Sequence, residues 1–157
     1  MYVGIMQPYF FPYIGYFQLI KSVDKFIFYD DVNYINGGWI NRNRIMINGQ
    51  VHYFTLHLHE ASQNRLINSI LIEDNRLKLK RSIELSYKKA PYFSNFWPVV
   101  DSVLSFESQN ASDLIIQSVI SVCDYLGIDT VFERSSIAYS QTKGMGKAER
   151  LISICQQ

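Results

Sequence analysis

The residues of this chain that could do chemistry fall in four places. The first is the stretch from Met6 to Ile20, which sets Gln7, Pro8, Pro12 and Gly15 among aromatic side chains. Pro8 and Pro12 fix φ and push the residues before them toward extended geometry. The chain is therefore stiff up to Pro12, where a helix can begin. Gly15 lets a ligand approach the first turn closely, and the free N–H groups and dipole of a helix start favour phosphate. The second place is Asp30-Asp31, at the carboxyl end of a short apolar run. Open α/β sheets bind ligands there, although a solvated turn would look the same. The third is the loop Asn33 to Asn43, with Gly37-Gly38 and Trp39, ending in Arg42 and Arg44. A patternless loop of that length is usually functional or mobile. The fourth is the basic set Lys78, Lys80, Arg81, Lys88 and Lys89. It reads as the solvated face of a helix or as a contact for phosphate or an anionic sugar nucleotide. His57 and His59 share a strand face, but no third ligand stands at a recognisable spacing, so a polar face at a sheet end is the preferred reading over a metal pair.

The elements that must position these residues follow from pattern. Tyr2–Met6 reads as a strand, Tyr13 to about Val23 as a helix and Asp24–Asp31 as a second strand. Strand, helix and strand with short joins argue for a parallel sheet. Asn48-Gly49 between two strand-like runs predicts a hairpin, because both residues accept positive φ. Along its second arm Val51, Tyr53, Thr55, His57 and His59 alternate with His52, Phe54, Leu56 and Leu58. Leu66–Ile72 reads as a further strand. Asp74-Asn75 could cap a helix from Arg76 to about Lys88, stopped by Ala90-Pro91. Tyr92–Leu104 reads as a helix whose Phe93, Phe96 and Trp97 fill a core. Asp113–Leu126 is the cleanest helix, with Ser112 as its N-cap, an apolar stripe of Leu114, Ile115, Val119, Val122, Cys123 and Leu126, and Gly127 ending it. Thr130–Arg134 is a last strand, and Lys147–Gln157 begins a final helix.

Size and composition exclude several classes. At 157 residues the chain is expected to be one domain with a substantial core. Hydrophobic residues at 48% against 18% charged exclude a disordered chain. A net charge of +1 argues against a general nucleic-acid or membrane surface. No apolar run is long enough for a membrane span, and the N-terminus lacks a basic region and cleavage site. Cys123 and Cys155 form neither a disulfide framework nor a metal spacing. A cytoplasmic protein is expected, with Cys123 a plain core residue.

Gln7, Pro8, Pro12, Gly15, Tyr16 and Phe17 occur here in the order in which they open members of the WbqC-like family, which the chain resembles. Trp39-Ile-Asn-Arg-Asn-Arg-Ile45, Leu66-Ile-Asn68, Ser86-Tyr-Lys-Lys-Ala-Pro-Tyr-Phe93 and Lys147-Ala-Glu-Arg-Leu151 extend the likeness over essentially the whole chain. The resemblance implies a role in O-antigen and lipopolysaccharide surface-polysaccharide synthesis, with a glycine transferase activity suggested for the family. It also implies a further strand and C-terminal segment, so the chain is expected to be C-terminally truncated. Leu151, Ile152 and Ile154, with little after them to pack against, agree.

A second likeness concerns chemistry. Tyr13-Ile-Gly-Tyr16 stands where class I nucleotidyl- and adenylyl-transferring enzymes carry His-x-Gly-His, and Lys143-Gly-Met-Gly-Lys147 stands where they carry a mobile lysine loop. Both motifs depart from the pattern: tyrosines replace the histidines, and Gly146 replaces a hydroxyl residue. The resemblance implies ATP and Mg²⁺ as cofactors and activation of an amino acid for transfer to an amino-sugar nucleotide. Tyr13, Tyr16 and Lys147 would then be catalytic, with Gln7, Pro8, Gly15 and Lys143 around the nucleotide. Gln7 and Asn41 would orient substrate, Asp30 or Asp31 would hold an ammonium or sugar hydroxyl, and Arg42, Arg44, Lys143 and Lys147 would bind phosphates. The competing reading is a non-catalytic sugar-nucleotide-binding or docking protein of the same pathway. In either case the expected fold is α/β, a mostly parallel Rossmann-like, nucleotidyltransferase-like sheet with an inserted β-hairpin. The expected partners are small molecules, an amino acid and an amino-sugar nucleotide, with no nucleic acid and no membrane span, and the sequence leaves a homo-oligomer open.

Overall fold

The short apolar runs Val3–Met6 (β1), Lys25–Phe28 (β2) and Val131–Arg134 (β7) pair as a parallel sheet in the order β1-β2-β7. The chain is described over all of residues 1–157 in a computed structural model. The register aligns Met6, Phe28 and Arg134, so the three carboxyl ends form one rim. β2 is the central strand and is buried on both faces, as a parallel sheet covered on two sides requires. Phe26 and Phe28 pack with Tyr16, Phe17 and Ile20 of helix α1 (Ile14–Lys21) and with Ile116, Val119 and Cys123 of helix α4 (Ala111–Leu126). Ile27 faces the other way, onto Tyr139 and Ile154. Ile154 belongs to the last helix, α6 (Lys147–Cys155), so that helix has a packing partner: the sheet itself. Before it, Ser135–Ala138 form a single turn, α5, and Ser140–Thr142 a 3-10 turn.

The inserted hairpin forms as expected. β3 (Arg42–Ile47) and β4 (Gln50–Thr55) are antiparallel, and Asn48 and Gly49 have φ of 50° and 76°, the pair of positive values that matches strand twist. Beyond it lie β5 (Leu58–His59) and β6 (Leu71–Ile72), helix α2 (Arg76–Tyr87) and helix α3 (Phe93–Leu104). Phe10, Phe54, Leu56, Ile70, Leu79, Val103 and Leu114 are among the residues of this second core. Leu114 and Ile115 belong to it while Ile116 and Val119 face the sheet, so α4 is the wall shared by both layers.

Four expectations need correction. The parallel part is a sheet of three strands, with the remaining strands in two antiparallel pairs. Leu66–Ile72 is not one strand: Ile67–Ser69 form a 3-10 turn, closed where Ser69 Oγ donates to the Leu66 carbonyl at 2.8 Å. His57 and His59 do not continue the hairpin arm. The Asn75 amide donates to the Thr55 carbonyl at 3.0 Å and accepts from the His57 N–H at 3.1 Å, which ends β4 by supplying a side chain in place of the ladder. The cap of α4 is Asn110, whose side chain accepts from the Asp113 N–H at 3.2 Å, while Ser112 is buried inside the first turn. The Gly127 terminus stands, in the left-handed conformation, as a residue without Cβ allows. No helix is long and apolar enough to cross a membrane.

Candidate functional site

At the carboxyl rim of the parallel sheet lies a cleft of about 860 Å³. Gln7 enters it from the end of β1, and Tyr29 and Asp31 from the end of β2. Lys143, Lys147 and Arg150 close it from the segment after α5 and from α6. Three cations and one carboxylate line it, a net charge of +2.

The two sides are joined by a buried polar network. Arg150 Nη2 lies 2.7 Å from Asp31 Oδ2, both side chains being nearly inaccessible at 6% and 4% exposure. Arg150 Nε donates to Thr142 Oγ1 at 3.0 Å, and the guanidinium lies 4.9 Å from the centre of the Tyr29 ring. Burial is the largest single influence and works against the Arg150 charge, but the hydrogen bond to Asp31, the charge of Asp31 and the neighbouring Tyr29 together outweigh it and hold the guanidinium above its ordinary pKa. Asp31 also accepts from Ser135 Oγ. Asp30 is wholly committed: it accepts from the Ser136 N–H at 3.1 Å and from Ser136 Oγ at 2.8 Å. Both aspartates thus anchor the turn after β7. Arg150 fixes Thr142 beside Lys143, so one buried guanidinium sets where the exposed lysines stand.

Lys143 and Lys147 are exposed and make no ion pair. Helix α6 opens at Gly146 with no side-chain cap, so its first N–H groups add to the positive end. These features fit the phosphates of a nucleotide. They do not fit a protein-held Mg²⁺: the one carboxylate in the cleft, Asp31, is taken by Arg150 and Ser135.

The other expected site residues lie elsewhere. Pro8 is buried beneath the turn. Tyr16 is a core residue at 3% exposure; its hydroxyl donates to the Gln7 carbonyl at 2.9 Å, and burial raises its pKa far above the ordinary value. It fixes the backbone of Gln7 and has no access to solvent. Tyr13 is exposed, and its ring lies over Gly15: a Cβ there would sit 2.3 Å from Tyr13 Cε2. The space that Gly15 opens at the helix start is filled by this chain's own tyrosine. Gly15→Ala is expected to swing the Tyr13 ring aside, visible as loss of its ring-current effect on nearby amide resonances. The cost in stability should be small, because alanine gains roughly 0.5–1 kcal/mol over glycine in a helix. A clear fall in thermal stability would mean that the ring is locked.

Asn41 is likewise occupied, accepting from the Tyr34 hydroxyl and donating to the Leu56 carbonyl, each at 2.8 Å. Arg42 and Arg44 stand on β3 beside Trp39 and Tyr53, outside the cleft lining. The structure therefore gathers Gln7, Asp31, Lys143 and Lys147 and separates them from Asn41, Arg42 and Arg44. Arg150 is the residue that sequence reasoning missed. Its signal was three-residue spacing from Lys147, which puts both on neighbouring positions of one helix face.

The family model described as WbqC-like protein family matches residues 7–157. The uncharacterized protein Rv1507c of Mycobacterium tuberculosis is 33% identical over 160 aligned positions, covering 99% of this chain and 68% of that protein. No solved structure matches the chain.

Proposed function

This chain belongs to the WbqC-like protein family, and on that premise we propose that it is a transferase of surface-polysaccharide synthesis whose cleft takes a phosphorylated substrate. The proposed reaction is aminoacyl transfer, with glycine as the first donor to try and the amine of an amino-sugar nucleotide as acceptor. The observation that carries the reading is the pair of unpaired lysines, Lys143 and Lys147, in a cleft of net charge +2 at the carboxyl rim of a parallel sheet. Unneutralised ammonium groups suit phosphate oxygens, and that rim is where such sheets bind ligands. ATP, when bound, supplies the energy that turns a carboxylate into an acyl donor. This chain's residues bind and orient: Lys143 and Lys147 hold phosphate, Gln7 offers an amide to substrate, and Tyr29 offers a ring edge and hydroxyl. The Rossmann-like, nucleotidyltransferase-like description of the sheet is part of the same proposal. Any Mg²⁺ would ride on the nucleotide's own oxygens.

The test is pyrophosphate release by the folded protein, required to depend on both ATP–Mg²⁺ and an amino acid. Turnover that needs both supports acyl transfer. Its absence, with saturable binding of a sugar nucleotide retained, would transfer the cleft to the second reading, a non-catalytic sugar-nucleotide-binding protein. A specific observation favours that alternative: Tyr16 is buried and Tyr13 covers its own helix start, so neither tyrosine of the Tyr13-Ile-Gly-Tyr16 motif lines the cleft.

A further inference from the structure

One face of the β3–β4 hairpin is open to solvent. Side chains alternate along a strand, and the register sets Arg42 opposite Thr55 and Arg44 opposite Tyr53. These residues share the open face, while Ile45 and Phe54 on the other pack into the second core. The Arg44 guanidinium lies 5.1 and 5.6 Å from the ring centres of Trp39 and Tyr53. Arg42 lies over the same two rings at 5.7 and 4.8 Å. Its Nε donates to the Gly38 carbonyl at 2.9 Å and its Nη2 to the Gly37 carbonyl, so the loop before β3 fixes it in place. The aromatic surface continues past Trp39: the Tyr9 ring centre is 6.2 Å from that of Trp39, and Tyr13 is 6.5 Å beyond Tyr9. Tyr13, Trp39 and Tyr53 are exposed.

No carboxylate stands within ion-pair distance of Arg42 or Arg44. The sequence supplies the reason: no Asp or Glu occurs from Met1 to Val23 or from Val32 to His59, and those two stretches provide every residue of this face. The rings hold the guanidiniums through their π faces but leave the charges unneutralised. Two like charges on one strand face repel, and an anion laid across them removes that repulsion. The face is therefore complementary to a ligand that brings negative charge together with flat apolar surface.

We infer that this face binds an acidic saccharide, its carboxylates on Arg42 and Arg44 and the C–H faces of its sugar rings against Trp39 and Tyr53. A guanidinium matches a carboxylate in shape and charge. An acidic peptide would satisfy the arginines, but its Asp and Glu side chains bring no flat face and would leave the rings wet. A single-stranded nucleic acid would stack on the rings, but its affinity comes from neutralising many phosphates, and this face offers two cations in a chain of net charge +1. Tyr9, Tyr13, Trp39, Arg42, Arg44 and Tyr53 take no part in lining the cleft, so the inference goes beyond the reading of the cleft and does not depend on it.

The experiment is a calorimetric titration of the full chain, at low ionic strength, with a short galacturonic-acid oligosaccharide. Three controls separate the sources of affinity. The methyl-esterified oligosaccharide keeps the rings without the charge, a short polyglutamate keeps the charge without sugar rings, and an oligouridylate presents a nucleic acid. Saturable binding of the acidic oligosaccharide is expected, about tenfold or more tighter than each control. Arg44→Met should weaken it about tenfold or more, the worth of a hydrogen bond to a charged group. Tyr53→Ala should weaken it too; both side chains are exposed, so the fold is spared, and a cooperative unfolding transition in each variant verifies this. The Lys143→Ala/Lys147→Ala variant should bind as the parent does. The inference is overturned if the folded parent shows no saturable binding, or if the esterified form binds equally well. Polyglutamate or oligouridylate binding as tightly would reassign the face to a peptide or a nucleic acid. Indifference to Arg44→Met or to Tyr53→Ala, or loss in the lysine variant, overturns it as well.

Discussion

Arg150→Met is expected to destabilise the protein by about 3 kcal/mol or more, because breaking a buried ion pair strands the other charge. Asp31 and Arg150 are both nearly inaccessible and 2.7 Å apart, so methionine leaves a carboxylate with Ser135 Oγ as its remaining donor. The hydrogen bond to Thr142 Oγ1 and the contact over Tyr29 go with it. The double variant Asp31→Asn/Arg150→Met should recover most of the loss, since removing both charges removes the desolvation penalty along with the attraction. Chemical denaturation of parent, single and double variants checks this, using transitions of equal slope. Equal loss in the single and double variants would show that the pair contributes packing and not charge compensation. The same substitution should loosen the Thr142–Lys147 segment, because Arg150 is its tie to the end of β2.

Lys143→Ala/Lys147→Ala should leave stability almost unchanged and weaken phosphorylated ligands about a hundredfold or more. The first half follows from exposure: both side chains are in solvent and unpaired, and such surface changes stay within roughly 0.5 kcal/mol. The second half follows from two charge-assisted contacts of about 1.5–3 kcal/mol each. Titration with ATP or an amino-sugar nucleotide, at stated and low ionic strength, gives the ratio. A ratio near one for every phosphorylated ligand that the parent binds would remove phosphate binding from this cleft. The Arg150 and lysine variants separate two roles. Arg150 acts through placement, so its loss should affect both stability and binding, whereas loss of the lysines should affect binding alone.

Local chemistry made much of the fold legible from residues alone. Asn48-Gly49 had to turn with positive φ, Gly127 had to end a helix, and the stripe on α4 had to be buried, as it is from Leu114 to Cys123, while Leu126 at the helix end is exposed. The apolar runs of β1, β2 and β7 announced parallel strands, and with them a rim at which Gln7, Asp31 and the late lysines could meet. The WbqC-like resemblance rested on ordered residues of the first turn and held for the family. These signals act within a few residues or follow a fixed period, so a linear chain displays them.

Tertiary structure decided how each polar group is spent. Asp30 and Asp31 look alike in the chain, yet Asp30 fastens the turn after β7 while Asp31 holds Arg150, a residue 119 positions away. Asn75 ends β4 by reaching across 20 positions to Thr55, which no propensity records. Tyr16 is buried and Tyr13 exposed, although both flank the same glycine, because α1 turns one face to Phe26 and the other to solvent. Arg42 and Arg44 stand apart from Lys143 and Lys147, over the rings of Trp39 and Tyr53, because the hairpin that carries them leaves the parallel sheet. Periodicity determines which elements form and which faces they bury. Which partner a polar side chain meets depends on contacts between distant elements, and those exist only once the layers have packed.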